Sequence, residues 1–243
     1  MLWEQMMGFL KSWFVHTGLS WELMLVSIGL AIGIAAVWLL GYWPPVFKKV
    51  WFWPVLVFSA LFTVLAMTLV QIPVQYGISQ GLVKAWDMST LNDWLLLVTV
   101  PSFLVSGLVQ EGAKMVPIVA WWWRSGKTIT PRMGIFIGAM AGAGFGLFEA
   151  FWVHSQLFQM GWTTDYLSYG FLGITAFWER FFTVGFHTAV SALAGYGLAK
   201  GKGWQFYLIS SALHGFLNWG TTLYQKQYLT VTQLEIGVAV ITV

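Results

Sequence analysis

Apolar residues form long runs along this chain, and most polar residues fall in the short segments between them. The runs cover residues 22–42, 51–74, 93–123, 133–153, 170–199 and 204–224. About 20 apolar residues are needed to cross the hydrocarbon core of a bilayer, so each run predicts a membrane-spanning helix. A further run over 229–243 contains Gln233 and Glu235 and predicts a half span or a seventh span. We therefore expect an all-α fold, a polytopic transmembrane helical bundle of six to seven spans.

The first 20 residues predict an amphipathic helix at the membrane interface. Apolar side chains recur there at helical spacing, and Glu4, Lys11 and Ser12 lie opposite them, which is typical of a helix in the plane of the membrane surface. A helix that only precedes the first span, without lying in the interface, explains the pattern nearly as well. The segment lacks the basic start and cleavage site of a signal peptide, so we do not expect its removal. The predicted organisation is an interfacial segment at 1–20 and a single bundle at 21–243.

The composition agrees with a protein in lipid. Hydrophobic residues make up 58% of the 243 residues and charged residues 9%, whereas a soluble domain has roughly 25% charged residues. The net charge of +3 is modest and gives no reason to expect nucleic acid. Basic residues concentrate in the loops near 48, 127 and 201. Because basic loops stay in the cytoplasm, we expect the N-terminus to lie outside.

The fourth predicted span carries a strip of glycines. Gly134, Gly138, Gly142 and Gly146 follow one another at every fourth position, on one face of a helix. Such strips let the backbone of a second helix approach closely within a membrane. We interpret the strip as a packing surface.

Ionisable residues inside the predicted spans are few, and they are the candidates for chemistry. They are Glu111, Lys114, Glu149, Glu179, Arg180, His187 and His214. A charge at the bilayer centre costs about 2.5 to 3.5 kcal/mol, so each is a functional-site hypothesis by default. Counted from the basic loops, Glu111, His187 and His214 lie at roughly the same depth, and Glu149 about one turn deeper. Four spans thus bring two carboxylates and two imidazoles to nearly one level.

Structural explanations compete with each of these candidates. Glu111 and Lys114 are three residues apart, so they lie on one helix face and can form an ion pair that neutralises itself in lipid. Arg180 can pair with the glutamate before it or extend towards the interface. A lone histidine in a membrane usually hydrogen-bonds between helices. The functional hypothesis therefore depends on convergence of the residues rather than on any one of them.

Four motifs on successive spans resemble a known group of membrane proteins. They are Gln110-Glu111-Gly112-Ala113-Lys114, Phe145-Gly146-Leu147-Phe148-Glu149, Arg180 leading to His187, and His214-Gly215-Phe216-Leu217-Asn218. This pattern resembles the PrsW and YhfC families of intramembrane peptidases, relatives of the CAAX prenyl endopeptidase and bacteriocin-processing superfamily. The resemblance covers the four spans from about 100 to 222, which gives a peptidase-like core at about 93–224. It implies a membrane-anchored protein substrate and a bacterial plasma membrane. It also implies supporting roles for Lys114, Arg180 and Asn218.

The first motif departs from the family pattern. The families usually have Glu-Glu-x-x-Lys or Glu-Glu-x-x-Arg, and here Gln110 takes the first acidic position. In the prenyl endopeptidase relatives that first glutamate is thought to activate water. Either Glu111 or Glu149 takes over this task, or the protein has lost activity.

The leading hypothesis is hydrolysis of a peptide bond in the membrane. Glu111 or Glu149 would be the general base, and His187 would orient water or protonate the leaving amine. His214 and Asn218 lie on one helix face and would stabilise the oxyanion. Alternatively, Glu149, His187 and His214 would bind zinc and leave a fourth position for water. The residue pattern leaves both mechanisms open.

Two other classes of function compete with the peptidase. A catalytically inactive protein that binds or assembles membrane partners would keep the polar cluster as a structural element, and Gln110 favours it. A proton-coupled transporter would use the same residues as a relay. The sequence contains no inverted repeat of the kind that many transporters have, so we consider a transporter less favoured.

Overall fold

Helices make up the regular structure of residues 2–42 and 48–243, the part of the chain that the computed structural model describes. Met1 and residues 43–47 fall within the predicted ranges 1–20 and 21–243 but lie outside the described residues. In chain order the helices are α1 (Leu2–Ser12), α2 (Trp21–Leu40), α3 (Phe52–Ala66), α4 (Ile72–Ala85), α5 (Met88–Asp93), α6 (Leu95–Val98), α7 (Val100–Arg124), α8 (Pro131–Gln159), α9 (Phe171–Ala199), α10 (Gly203–Gln225) and α11 (Val231–Thr242). A π-helical turn, Met67–Gln71, joins α3 to α4, and a 3-10 turn, Thr164–Tyr169, precedes α9.

The lengths and compositions of these helices confirm an all-α polytopic membrane bundle. Among the described residues, five segments are long and apolar enough to cross a membrane: Trp21–Leu40, Phe52–Ala85, Leu95–Arg124, Pro131–Gln159 and Phe171–Ala199. They coincide with the first five predicted spans.

The last two predicted spans have different outcomes. Helix α10 occupies the run predicted at 204–224 and has 23 residues, about 34 Å of helix, enough to cross the hydrocarbon core. It is not among the five segments named above, because its polar residues lower its mean hydropathy. Helix α11 has 12 residues, and a helix of that length reaches about 18 Å. In the run at 229–243 the structure thus has an apolar helix that is shorter than the five segments above.

The N-terminal segment is anchored to the bundle where α1 ends. The indole of Trp13 is 1% exposed and stacks on that of Trp152 in α8, with ring centroids 4.8 Å apart. The indole nitrogen of Trp152 donates a hydrogen bond to the Ser12 hydroxyl at 3.2 Å. The helical form of α1 agrees with the amphipathic pattern, and its place at the membrane interface stays a prediction.

Helices α8 and α9 pack backbone to backbone along the glycine strip. A methyl group added at Gly134, Gly138 or Gly142 would overlap a backbone carbonyl oxygen of α9. One turn further, a methyl group at Gly146 would lie 3.0 Å from the Cα of Val184. Helix α8 starts at Pro131, and the hydroxyl of the preceding Thr130 accepts a hydrogen bond from the Met133 amide at 3.2 Å. The strip is thus the packing surface that the sequence predicts.

Replacing Gly142 by alanine should destabilise the bundle. The added methyl group would overlap the carbonyl oxygen of His187, so the two helices must separate, at a cost of about 1 to 3 kcal/mol in the free energy of unfolding. Thermal unfolding in detergent micelles measures this loss. The matched control is Gly33→Ala in α2, where an added methyl group meets nothing within 4 Å. Equal unfolding midpoints for the two variants would contradict the close contact.

Candidate functional site

Four helices bring their ionisable side chains to one buried cluster. Helix α7 supplies Glu111 and Lys114, and α10 supplies His214. A single carboxylate oxygen of Glu111, Oε1, lies 2.5 Å from Nζ of Lys114 and 2.6 Å from Nδ1 of His214. Nζ of Lys114 also lies 3.0 Å from Nδ1 of His187 on α9. None of the four side chains is more than 3% exposed.

Glu149 extends the cluster on the other side of His187. Its Oε2 atom lies 3.2 Å from Nε2 of His187 and accepts a hydrogen bond from Arg180 at 2.7 Å. Arg180 also forms an ion pair with Glu179. The contacts therefore run without a break from His214 through Glu111, Lys114, His187 and Glu149 to Arg180 and Glu179.

The predicted catalytic residues thus lie together, and two of the three predicted supporting residues join them. Lys114 and Arg180 are members of the contact network. Asn218 donates a hydrogen bond from Nδ2 to the Ser106 hydroxyl at 3.1 Å, which joins α10 to α7. An oxyanion-binding pair of His214 and Asn218 therefore stays a prediction.

Two neighbours of the network had not been identified from the sequence. The ring of Phe145 lies edge-on to His187, with centroids 5.0 Å apart, and 5.6 Å from Nζ of Lys114. The Ser191 hydroxyl lies 3.5 Å from Oε2 of Glu111. Ser191 is four residues after His187, so the spacing along α9 could have indicated a shared face. Phe145 belongs to one of the four motifs, but its apolar ring gave no reason to assign it a role.

Three members of the cluster form a group that could hold a metal ion. Glu111, His187 and His214 each offer one ligand atom, and these atoms lie within 4.8 Å of one another. One carboxylate and two imidazoles suit zinc, with a fourth position left for water. The donor set therefore fits a metal. The ammonium group of Lys114 contacts two of the three residues, so a metal ion held between them would displace it.

The carboxylate in this group differs from the one proposed from the sequence. The ligand set predicted from the sequence contains Glu149, whereas the residues grouped within 4.8 Å include Glu111 instead. Glu149 lies against the other ring nitrogen of His187 and is paired with Arg180. The depth count could not make this distinction, because it carries no information on the direction in which each side chain points.

The fold and this cluster define a class, that of polytopic membrane proteins with a buried carboxylate–imidazole centre. The family model described as PrsW family intramembrane metalloprotease matches residues 52–243. The chain belongs to the PrsW family of intramembrane metalloproteases. The match confirms the resemblance to PrsW and extends beyond the core predicted at 93–224 on both sides. No curated protein and no solved structure matches the chain.

Replacing Glu111 by glutamine should destabilise the protein strongly. The substitution leaves the ammonium of Lys114, which is 0% exposed, without its carboxylate partner, and removing one member of a buried pair costs about 3 to 5 kcal/mol. The control is the double variant Glu111→Gln/Lys114→Met, in which no unpaired charge is left. It should unfold closer to the wild-type midpoint than either single variant. A double variant as unstable as the sum of the single ones would contradict a buried ion pair.

Proposed function

We propose that this protein is an intramembrane endopeptidase that hydrolyses a peptide bond of a membrane-anchored protein. The observation that carries the proposal is the unbroken network of carboxylates, imidazoles and one lysine across α7, α8, α9 and α10. Amide hydrolysis needs a base for water, a donor for the leaving amine and a positive group for the oxyanion. The network contains all three kinds of group in mutual contact. Membership of the PrsW family supports the same reading.

We assign the role of general base to Glu149. The base must reach water, and the side chain of Glu149 is 18% exposed, compared with 1% for Glu111. Arg180 holds the carboxylate of Glu149 through one of its oxygens. The same oxygen contacts Nε2 of His187, which orients the carboxylate. Glu149 would take the proton from the attacking water and then give it to the leaving amine. In this assignment position 110 need not be acidic, because Glu149 on α8 activates the water in place of the family's first glutamate.

Glu111, His187 and His214 would hold the metal that the family name implies. A bound zinc ion would lower the pKa of water and polarise the scissile carbonyl. The arrangement agrees with zinc peptidases in which the general-base glutamate is not a metal ligand. Lys114, displaced from Glu111 by the metal, would supply the positive charge that stabilises the oxyanion.

We also propose a location in a bacterial plasma membrane with the N-terminus outside. Helix α7 ends at Arg124 and α9 is followed by Lys200 and Lys202. These basic positions support cytoplasmic loops after α7 and α9.

A second candidate function is that of an inactive membrane-binding protein. The neutral side chain of Gln110, where the family usually has a glutamate, favours it. In that case the buried network would serve only to join the helices. The two candidates differ in whether substitution of network residues changes cleavage of a substrate.

Glu149→Gln and His187→Ala should each lower cleavage by about 100-fold or more, because the first variant loses the general base and the second loses a metal ligand. The assay co-expresses the protein with a panel of single-span reporter proteins and follows their fragments by immunoblot. The matched controls are Glu22→Gln and His16→Ala, which change two positions outside the network. Both variants should cleave the reporters as the wild type does. A wild-type protein that cleaves no reporter, while all variants insert and fold equally, would favour the inactive protein.

Metal content should separate the two possible ligand sets. Purified protein should hold about one zinc ion per chain, and His214→Ala should lose it. Glu149→Gln should keep it, since Glu149 lies outside the group formed by Glu111, His187 and His214. Elemental mass spectrometry, normalised to folded protein, measures the content. Loss of zinc in Glu149→Gln would instead support the ligand set that contains Glu149.

A further inference from the structure

A series of hydrogen-bonded glutamine side chains connects the π-helical turn to Gln110, the residue that precedes Glu111. Nε2 of Gln110 donates to Oε1 of Gln71 at 3.1 Å, and Nε2 of Gln71 donates to Oε1 of Gln75 at 3.4 Å. Nε2 of Gln75 donates to the backbone carbonyl of Ser102 at 2.8 Å. The chain therefore starts on α7, crosses to the π-helical turn and α4, and returns to α7 one turn before Ser106.

The direction of this chain is determined at its far end. A backbone carbonyl can only accept a hydrogen bond, so Gln75 must present its amide nitrogen to Ser102. Gln75 then presents its oxygen to Gln71, and Gln71 presents its oxygen to Gln110. The nitrogen of Gln110 is thereby directed at Gln71, and its carbonyl oxygen is left over.

The remaining carbonyl oxygen of Gln110 has no partner among the described residues. Gln110 is 4% exposed, and its Oε1 atom is buried without a hydrogen bond. A buried acceptor without a donor costs about 1 to 3 kcal/mol, so it is retained where something else supplies the donor. Gln110 precedes Glu111 in the chain and is four residues from Lys114, which places it one turn from that residue on α7.

The π-helical turn supports a functional interpretation of the chain. The amide of Ile72 donates to the carbonyl of Met67, five residues earlier, and Gln71 is the last residue of this turn. Single π-helical turns within α-helices are frequent at functional sites, because the extra residue turns side chains to directions that a regular helix does not offer. Here the turn presents Gln71 to Gln110.

We propose that Gln110 binds the substrate backbone, and that Gln71 and Gln75 are positioning residues that orient it. The carbonyl oxygen of Gln110 accepts a hydrogen bond from a peptide N–H of the segment to be cleaved. This role rests on the proposed peptidase function. It gives the glutamine at the family's first acidic position a task that a carboxylate could not perform with the same neighbours, since a carboxylate has no hydrogen to donate to Gln71.

Thermal unfolding of the purified full chain in detergent tests the chain of glutamines without any substrate. In Gln110→Glu, two acceptor oxygens face Oε1 of Gln71, and Gln71 cannot turn over while Gln75 is held by Ser102. We expect the unfolding midpoint to fall by about 3 °C or more. Adding Gln75→Met frees Gln71 to turn over, so the double variant should recover part of that loss.

The matched control for the second substitution is Gln80→Met, an exposed glutamine on the same helix. When it is combined with Gln110→Glu, the changes in unfolding midpoint of the two single variants should add, because Gln80 is not one of the hydrogen-bonded glutamines. If the changes in unfolding midpoint caused by Gln75→Met and Gln110→Glu also add, the proposed direction of the hydrogen bonds is wrong. Those two residues are connected only through Gln71, so a directed series requires their effects to be coupled.

Kinetics on a reporter that the wild type cleaves test the substrate contact. Gln110→Met has nearly the same shape but no acceptor, so KM should rise roughly 5- to 10-fold while kcat stays within about twofold. A fall in kcat with an unchanged KM would overturn the substrate contact and place Gln110 in the chemical step. A wild type that cleaves no reporter would overturn the proposed function and the substrate contact together. Additive unfolding midpoints would overturn the glutamine chain alone.

Discussion

The buried ion pair between Glu111 and Lys114 is the interaction on which the site depends. Its members are 1% and 0% exposed, and their charged atoms lie 2.5 Å apart. In a hydrocarbon environment neither charge could be kept without the other, because the cost of desolvation far exceeds that at a protein surface. The two histidines attach to this pair, His214 to the carboxylate and His187 to the ammonium. The self-neutralising pair and the candidate active site are therefore one structure.

Close packing at glycines brings the four helices of the network together in two pairs. Helices α8 and α9 meet along the glycine strip, and α7 and α10 meet where an added methyl group at Gly107 would overlap the carbonyl oxygen of Ser211. On the other side of that second contact, Gly215 faces the backbone of Phe103. The contact between Lys114 and His187 then joins one pair of helices to the other. Polar side chains can meet across the bundle because the backbones approach so closely within each pair.

The depth of each ionisable residue along its helix could be predicted from the sequence. The direction in which its side chain points around the helix axis could not. Counting residues from the basic loops brought Glu111, Glu149, His187 and His214 to nearly one level, and the contacts among them agree with that. Which carboxylate lies within 4.8 Å of both histidines depends on the rotation of each helix about its axis. That rotation is set by packing partners that are distant in sequence. The same limit explains why Gln71 was missed. Its approach to Gln110 depends on a π-helical turn, which the hydrophobic pattern of an apolar run does not reveal.

The neutral side chain at position 110 changes the charge of the site as well as its hydrogen bonds. With the histidines neutral, the carboxylates of Glu111, Glu149 and Glu179 face the two cations Lys114 and Arg180, a formal charge of −1. An ionised glutamate at 110 would bring this charge to −2, which a bound divalent cation would balance. With Gln110 the network lies within one charge of neutrality both with and without such an ion. The substitution therefore lowers the cost of burying the network when no metal is bound. Of the two candidate catalytic carboxylates, Glu149 is the one with partial access to water.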